Sequence, residues 1–259
     1  MITVNLKGGI GNQLYQIAAA YSLAKENNAE FFLNSEYSGW TAMQGKNPIT
    51  YKDSLFRNFK WKQFKPEFTY QEKEFRYNKI PFLKSNSFAI EGYFQSYKYF
   101  ENYKEDIRNI ITFDDSMNEK VIKKINRFKD DGKHIVGVHT RGGDYKFNPD
   151  IFPIPPAKYY RRAMSKFNPD NTVFLYCTDD QSTLSQFKFD SNNLFINGDE
   201  LLDLCVLSHC DSLIIANSTF SAWASYLVKE KSEVYCPSEW LGTEVCEDLF
   251  DPRWSVLNV

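Results

Sequence analysis

Short apolar runs alternate with stretches of helical period along most of this chain. The first run, Ile2-Thr3-Val4-Asn5-Leu6, predicts a strand over residues 2–6. A helix is expected near 12–27, because Leu14, Ile17, Ala18 and Tyr21 recur at i, i+3, i+4 and i+7. Strands follow at 29–33 and 88–94. Between them, residues 35–87 are irregular, aromatic and basic, and no element is placed there. A helix near 116–129 closes this half. Asp130-Asp131-Gly132-Lys133 then breaks the pattern and reads as a domain junction.

The second half is more regular. Strands are expected at 134–139, 172–177, 193–196, 212–216 and 233–236. Helices are expected at about 156–167, 181–187, 199–209 and 218–229. Pro155-Pro156 opens the first of these, where a missing N–H costs nothing. Alternating β and α elements imply a parallel sheet covered on both faces. The fold class is therefore α/β, in two halves, 1–131 and 132–259, with a cleft between them. There is no internal repeat or low-complexity tract.

Composition narrows the function classes. The 259 residues carry a formal net charge of -2 and no basic tail, so nucleic acid is not an expected partner. Aromatic content is 17%, enough for a core with some flat walls left over for sugar rings. No segment reaches the roughly 18 apolar residues that span a bilayer. The N-terminus shows no signal-peptide pattern. The expectation is a cytoplasmic protein, at most peripheral at the inner membrane. Five cysteines, Cys177, Cys205, Cys210, Cys236 and Cys246, form no C-x-x-C pair. Cys177 and Cys205 lie in apolar runs and are expected as buried thiols. With three histidines in the chain, no metal site is expected.

Three turns carry candidate chemistry. The first is Gly8-Gly9-Ile10-Gly11, before a helix expected to begin at Asn12-Gln13. Its third glycine position falls on Leu14, and no acidic residue ends the next strand, so a nicotinamide or flavin role is weak. Asn12 either caps the helix or offers an amide to a polar ligand. The second turn is His139-Thr140-Arg141-Gly142-Gly143-Asp144-Tyr145, after the apolar run Ile135-Val136-Gly137-Val138. An Arg where a strand runs out into Gly-Gly suits a phosphate, because its planar fork makes two charge-assisted hydrogen bonds at once. The third is Ala216-Asn217-Ser218-Thr219-Phe220-Ser221, a hydroxyl-rich helix start that either caps the helix or binds an anion. Two such turns in one half suggest a diphosphate held from both sides.

These turns, in order and together with Gly92-Tyr93-Phe94-Gln95-Ser96-Tyr97-Lys98-Tyr99-Phe100, resemble the bacterial α-1,2-fucosyltransferases of glycosyltransferase family 11. The resemblance runs from residue 5 to about 227. It implies a GT-B-like fold, two Rossmann-like halves facing a central cleft, with GDP-L-fucose as donor and no metal. The halves become an acceptor-side domain (1–131) and a GDP-fucose-binding domain (132–259). The acceptor becomes a galactose-terminated oligosaccharide or lipid-linked glycan, fucosylated with inversion at its 2-hydroxyl in glycan or O-antigen synthesis.

The same resemblance assigns residues. Arg141 matches the Arg that grips the donor phosphate, and His139 falls near the nucleoside. Asp203 matches a carboxylate that accepts from guanine nitrogens. Ser218, Thr219 and Phe220 match the helix start at the phosphates, and Gly9 and Gly11 the first turn of the donor site. Asn12 matches an Asn that reaches the reaction centre. Tyr93 and Gln95 are structural or acceptor-facing. Asp144 is the nearest candidate base, with orienting Arg141 as its other role. Where the family has a second Arg, this chain has Gly142. Two alternatives stay open: a fucosyltransferase of other linkage or donor, and, because of Gly142, a weakly active nucleotide-sugar-binding protein.

Overall fold

The computed structural model describes residues 1–35, 46–81, 87–188, 192–242 and 247–259. The chain divides into two compact units. One is Met1–Thr112 with Cys246–Asp251, and the other is Phe113–Val245 with Pro252–Val259.

In the first unit, β1 (Ile2–Val4) leads through a glycine turn into α1 (Ile10–Glu26). Short strands β2 (Leu33–Asn34), β3 (Trp61–Lys62), β4 (Phe68–Gln71) and β5 (Phe88–Glu91) follow, and then α2 (Lys104–Ile110). Strands β1, β5 and β4 form a parallel sheet in the order β1-β5-β4, while β2 and β3 pair separately in parallel. A single bridge from Ile2 to Phe31 continues the pairing on the other side of β1. Leu14, Ile17 and Ala18 of α1 are fully buried, as their spacing demands.

Several expected elements shift. The strand foreseen at 29–33 is reduced to the Phe31 bridge and the pair at Leu33–Asn34. The strand foreseen at 88–94 ends at Glu91, because the chain turns at Gly92 and Phe94 takes a positive φ of 50°. The stretch left blank between 35 and 87 holds β3 and β4. Helix α1 starts at Ile10 rather than Asn12, with Gly9 at its N-cap and no side-chain capping bond, so Asn12 is not the cap.

The second unit opens with α3 (Asp115–Asp130) and β6 (His134–Thr140). It continues with α4 (Ala157–Met164), β7 (Thr172–Thr178), β8 (Asn193–Phe195), α5 (Glu200–Ser208) and β9 (Ser212–Ile214). The last elements are α6 (Thr219–Leu227), β10 (Val234–Pro237) and β11 (Trp254–Leu257). The six strands are all parallel, in the order β11-β10-β9-β6-β7-β8. Numbered from β6, that is the 3-2-1-4-5-6 order of a dinucleotide-binding sheet. Residues 181–186, expected as an α-helix, form a 3-10 helix, and β11 has no counterpart among the expected strands.

Helix α3 falls within the second unit, so the compact division comes before it, at 112/113, rather than at the junction expected near 131. The cause is packing. Val121 and Ile125 are its buried residues, and Lys129 in its last turn pairs with Asp211 at 2.7 Å. Asp211 in turn accepts from the Ile135 N–H of β6 at 3.0 Å. The core of this unit gathers Val136, Val138, Tyr159, Tyr160, Tyr176 and Ile214 between α4 and the sheet. Cys177, Cys205, Cys210 and Cys236 are buried free thiols, and Cys246 lies outside the described residues.

Candidate active site

Strands β6 and β9 are neighbours in the sheet but not in sequence, with Val136, Gly137 and Val138 opposite Ser212, Leu213 and Ile214. The chain leaves these two strands in opposite directions, which opens a crevice at their carboxyl ends. Both anion-type turns of this half lie there. Tyr145 ties them together: its hydroxyl donates to the Asn217 carbonyl at 2.9 Å, and its ring stacks on Phe152 at 4.8 Å. Burial pushes its phenol up to about 12.

Arg141 extends from the end of β6. Its Nη2 donates to Asp144 Oδ1, its Nη1 lies 2.9 Å from Asp179 Oδ2, and its guanidinium sits 5.1 Å from the Tyr145 ring. Its Nε–H is buried and has no partner. Asp144 therefore takes the arrangement of a residue that orients Arg141. A Cβ built on Gly142 would stand 2.6 Å from Asp180 Oδ2 and 2.7 Å from the Thr183 methyl group. Asp180 is itself paired with Lys146. The place of a second Arg side chain is thus occupied by packed neighbours.

His139, one turn of the pleat earlier, is buried, with its ring 5.1 Å from Phe220. Burial, aided by the Arg141 charge, pushes its imidazole down to about 3, so it stays neutral. Its Nδ1 has no hydrogen-bond partner. Ser218 caps α6 by accepting from the Phe220 N–H at 3.3 Å. Thr219 and Phe220 form the half-buried first turn. Asn217 anchors the turn by donating to the carbonyls of Pro153 and Trp240 at 2.7 and 3.0 Å, while its buried Oδ1 finds no partner.

Asp203 lies in the first turn of α5, 6% exposed, with Oδ1 unpartnered. Burial pushes its carboxyl up to about 7. Cys177, opposite His139 in the β6–β7 register, approaches its backbone carbonyl at 4.0 Å. A Cβ on Gly198 would stand 2.9 Å from that orphan oxygen. Buried polar atoms without partners are rare in folded proteins. Here His139 Nδ1, Arg141 Nε and Asp203 Oδ1, all on expected donor-site residues, and Asn217 Oδ1 in the turn before Ser218, belong to one unit.

The residues expected in the first unit form their own group. Asn12 Oδ1 accepts from Gln95 Nε2 at 2.8 Å, joining the α1 turn to the end of β5. Gly8, at φ +76°, has the Asn12 amide against it, 2.5 Å from where a Cβ would lie. Gly11 is buried inside α1, and Gly9 stands half-exposed at its cap. Tyr93 is exposed, with Lys7 Nζ 5.0 Å from its ring centroid. Glu72 fixes this turn by accepting from the N–H groups of Tyr93 and Phe94 at 2.6 and 3.0 Å.

Sequence reasoning missed Asp179 and Glu72. Asp179 carried a readable signal, an acidic pair at the end of an expected strand. Glu72 carried none, since it lies in the stretch where no element was placed. Among the described residues, no group of three or more His, Cys, Asp or Glu is arranged to hold a metal ion. Among them, too, no helix is long and apolar enough to cross a membrane.

The family model of glycosyl transferase family 11 matches residues 1–258. The chain belongs to glycosyl transferase family 11. It is 27% identical to an alpha-1,2-colitosyltransferase of Escherichia coli, over 97% of this chain and 96% of that one. It is 24% identical to the galactoside 2-alpha-L-fucosyltransferase Sec1 of Mus musculus, over 88% of this chain but 64% of the mouse protein. Among solved structures, the fucosyltransferase NodZ from Bradyrhizobium superposes with a TM-score of 0.56 at 15% identity, covering 88% of this chain and 92% of NodZ. That likeness concerns the fold. The family 11 chain has the GT-B-like composition expected of it, two α/β units built on parallel sheets.

Proposed function

We propose that this family 11 glycosyltransferase moves L-fucose from GDP-L-fucose to the 2-hydroxyl of a terminal galactoside, with inversion at the anomeric carbon. The observation that carries this reading is the set of unpartnered buried polar atoms at the crevice of the six-stranded sheet. Three of these residues suit parts of a guanosine diphosphate sugar. Asp203 Oδ1 accepts from the guanine N–H edge. His139, neutral, lies by the nucleoside. Arg141 and the N-terminus of α6 face the diphosphate, where the helix dipole and free N–H groups favour negative charge.

The chemistry follows from charge. Breaking the bond from the sugar to the β-phosphate passes through an oxocarbenium-like transition state, and negative charge builds on the departing diphosphate. Arg141 and α6 stabilise that charge more than they stabilise the bound donor, which lowers the barrier. Asp144 orients Arg141 rather than taking the acceptor proton. In the first unit, Asn12, Gln95 and Tyr93 are the residues we assign to the acceptor side.

The name of the Escherichia coli relative favours a second reading, in which the donor carries colitose instead of fucose. The test has two stages. GDP and GDP-fucose should raise the melting temperature and UDP-sugars should not. Transfer from GDP-linked donors to a galactoside panel should then proceed, and Arg141→Ala should lower its rate by about 10²–10³. Equal stabilisation by UDP removes the guanine assignment. GDP binding without turnover on any acceptor leaves a nucleotide-sugar-binding protein.

A further inference from the structure

An Arg at the end of a strand, followed by two glycines, has too much freedom to present one edge of its guanidinium reliably. Asp179 removes that freedom. It follows β7, and the register that sets His139 opposite Cys177 and Thr140 opposite Thr178 continues to set Asp179 beside Arg141. Its two oxygens divide the work. Oδ2 lies 2.9 Å from Arg141 Nη1, and Oδ1 accepts from the Gly142 N–H at 3.0 Å. Asp144 belongs to the same turn as Arg141 and moves with it, so the tie to the neighbouring strand comes from Asp179.

The glycines fit around this carboxylate. Gly143 has a φ of +21°, and a Cβ there would fall 2.3 Å from Asp179 Oδ2. The turn thus has no side chain where the carboxylate sits. With Nη1 on Asp179 and Nη2 on Asp144, Nε is the guanidinium nitrogen without a hydrogen-bond partner.

We propose that Asp179 is the positioning residue of the transfer reaction, clamping the Arg141 guanidinium and the Gly142 backbone together so that the Nε–H edge is kept for the leaving diphosphate. This rests on the reading of Arg141 as the phosphate partner. Asp179 touches no reacting atom and acts through Arg141. Its effect should therefore appear in turnover more than in donor binding. A loosely held Arg still attracts a diphosphate, but alignment is required in the transition state.

The test is a double-mutant cycle on the full chain, with melting temperature, donor KM and kcat measured for Asp179→Asn, Arg141→Ala and the double variant. Rates are read as transfer, or as hydrolysis of GDP-fucose without acceptor. Asp179→Asn should lower kcat by about 10-fold to 100-fold while changing donor KM only a few-fold. The double variant should be no slower than Arg141→Ala alone, because a residue acting through Arg141 has nothing to lose once Arg141 is gone. A wild-type kcat in Asp179→Asn overturns the proposal, as does full additivity in the double variant. A wild-type rate in Arg141→Ala instead overturns the functional reading beneath it. Should Asp179→Asn fail to fold, Asp179→Ser is read by the same outcomes.

Discussion

At the scale of single residues, the proposed guanine-accepting role of Asp203 sets recognition against stability. Its carboxyl is buried, one oxygen is unpartnered, and burial raises its pKa to about 7. An unfolded Asp titrates near 4. Between about 4 and 7 the folded state therefore holds a proton that the unfolded state has lost, and the free energy of unfolding falls as pH rises. The favourable contribution is full below the unfolded value and lost as pH passes the folded one. Asp203→Asn should remove that slope and leave the protein more stable than wild type at pH 8. It should also weaken GDP binding, since an amide cannot accept from both guanine donors. In the wild type, GDP affinity should rise with pH through about 7 as the accepting form is populated. Thermal melts from pH 5 to 8 with GDP titrations check this, and an unchanged slope in Asp203→Asn would sink the assignment.

At the scale of elements, the turn after β5 tests what the Gly92–Gln95 stretch is for. Glu72 accepts from two consecutive backbone N–H groups, and its side chain fills the space a Cβ on Gly92 would need. The carboxyl is itself raised above the usual range by burial, which the two N–H bonds oppose. Glu72→Ala leaves both donors without their acceptor, at a cost of about 1–3 kcal/mol for each that stays buried. The melting temperature should fall, while GDP affinity, which we assign to the second unit, should hold. Reduced GDP affinity at unchanged stability would contradict a structural role for Glu72. The same pair of contacts explains why the turn was only partly readable. A Gly-Tyr-Phe-Gln run looks like the continuation of a strand until Glu72 is brought to it from β4, 21 residues earlier in the chain.

At the scale of the whole molecule, the two units share a design. The second unit carries polar turns after β6 and β9, with Asp203 in α5 after β8, and the first unit carries them after β1 and β5. Positive charge at the proposed diphosphate site comes from Arg141 and a helix N-terminus. The nearby acidic side chains Asp144, Asp179 and Asp180 are each engaged by Arg141 or Lys146. A chelator should accordingly leave turnover unchanged within twofold. Activity lost in chelator and restored by Mg²⁺ or Mn²⁺ would require a different account of how the leaving group is stabilised.

The sequence by itself determined the alternation of strands and helices, the parallel character of the sheets, and the three turns that carry polar chemistry. These rest on local spacing. An apolar run buried on both faces, a glycine before a helix and a hydroxyl at a cap are legible within a few neighbouring residues. The order of strands, the register between them and the partners of each charge were decided only by the tertiary structure. Asp179 meets Arg141 across 38 positions because β6 and β7 pair in one register. Helix α3 belongs with the second unit because Lys129 reaches Asp211 across 82. Strands β2 and β3, two residues each, are too short to show a period and are strands because they pair with each other. Burial decided the rest: the same His and Asp that read as ordinary polar residues in the chain become a neutral imidazole and a raised carboxyl once water is excluded from them.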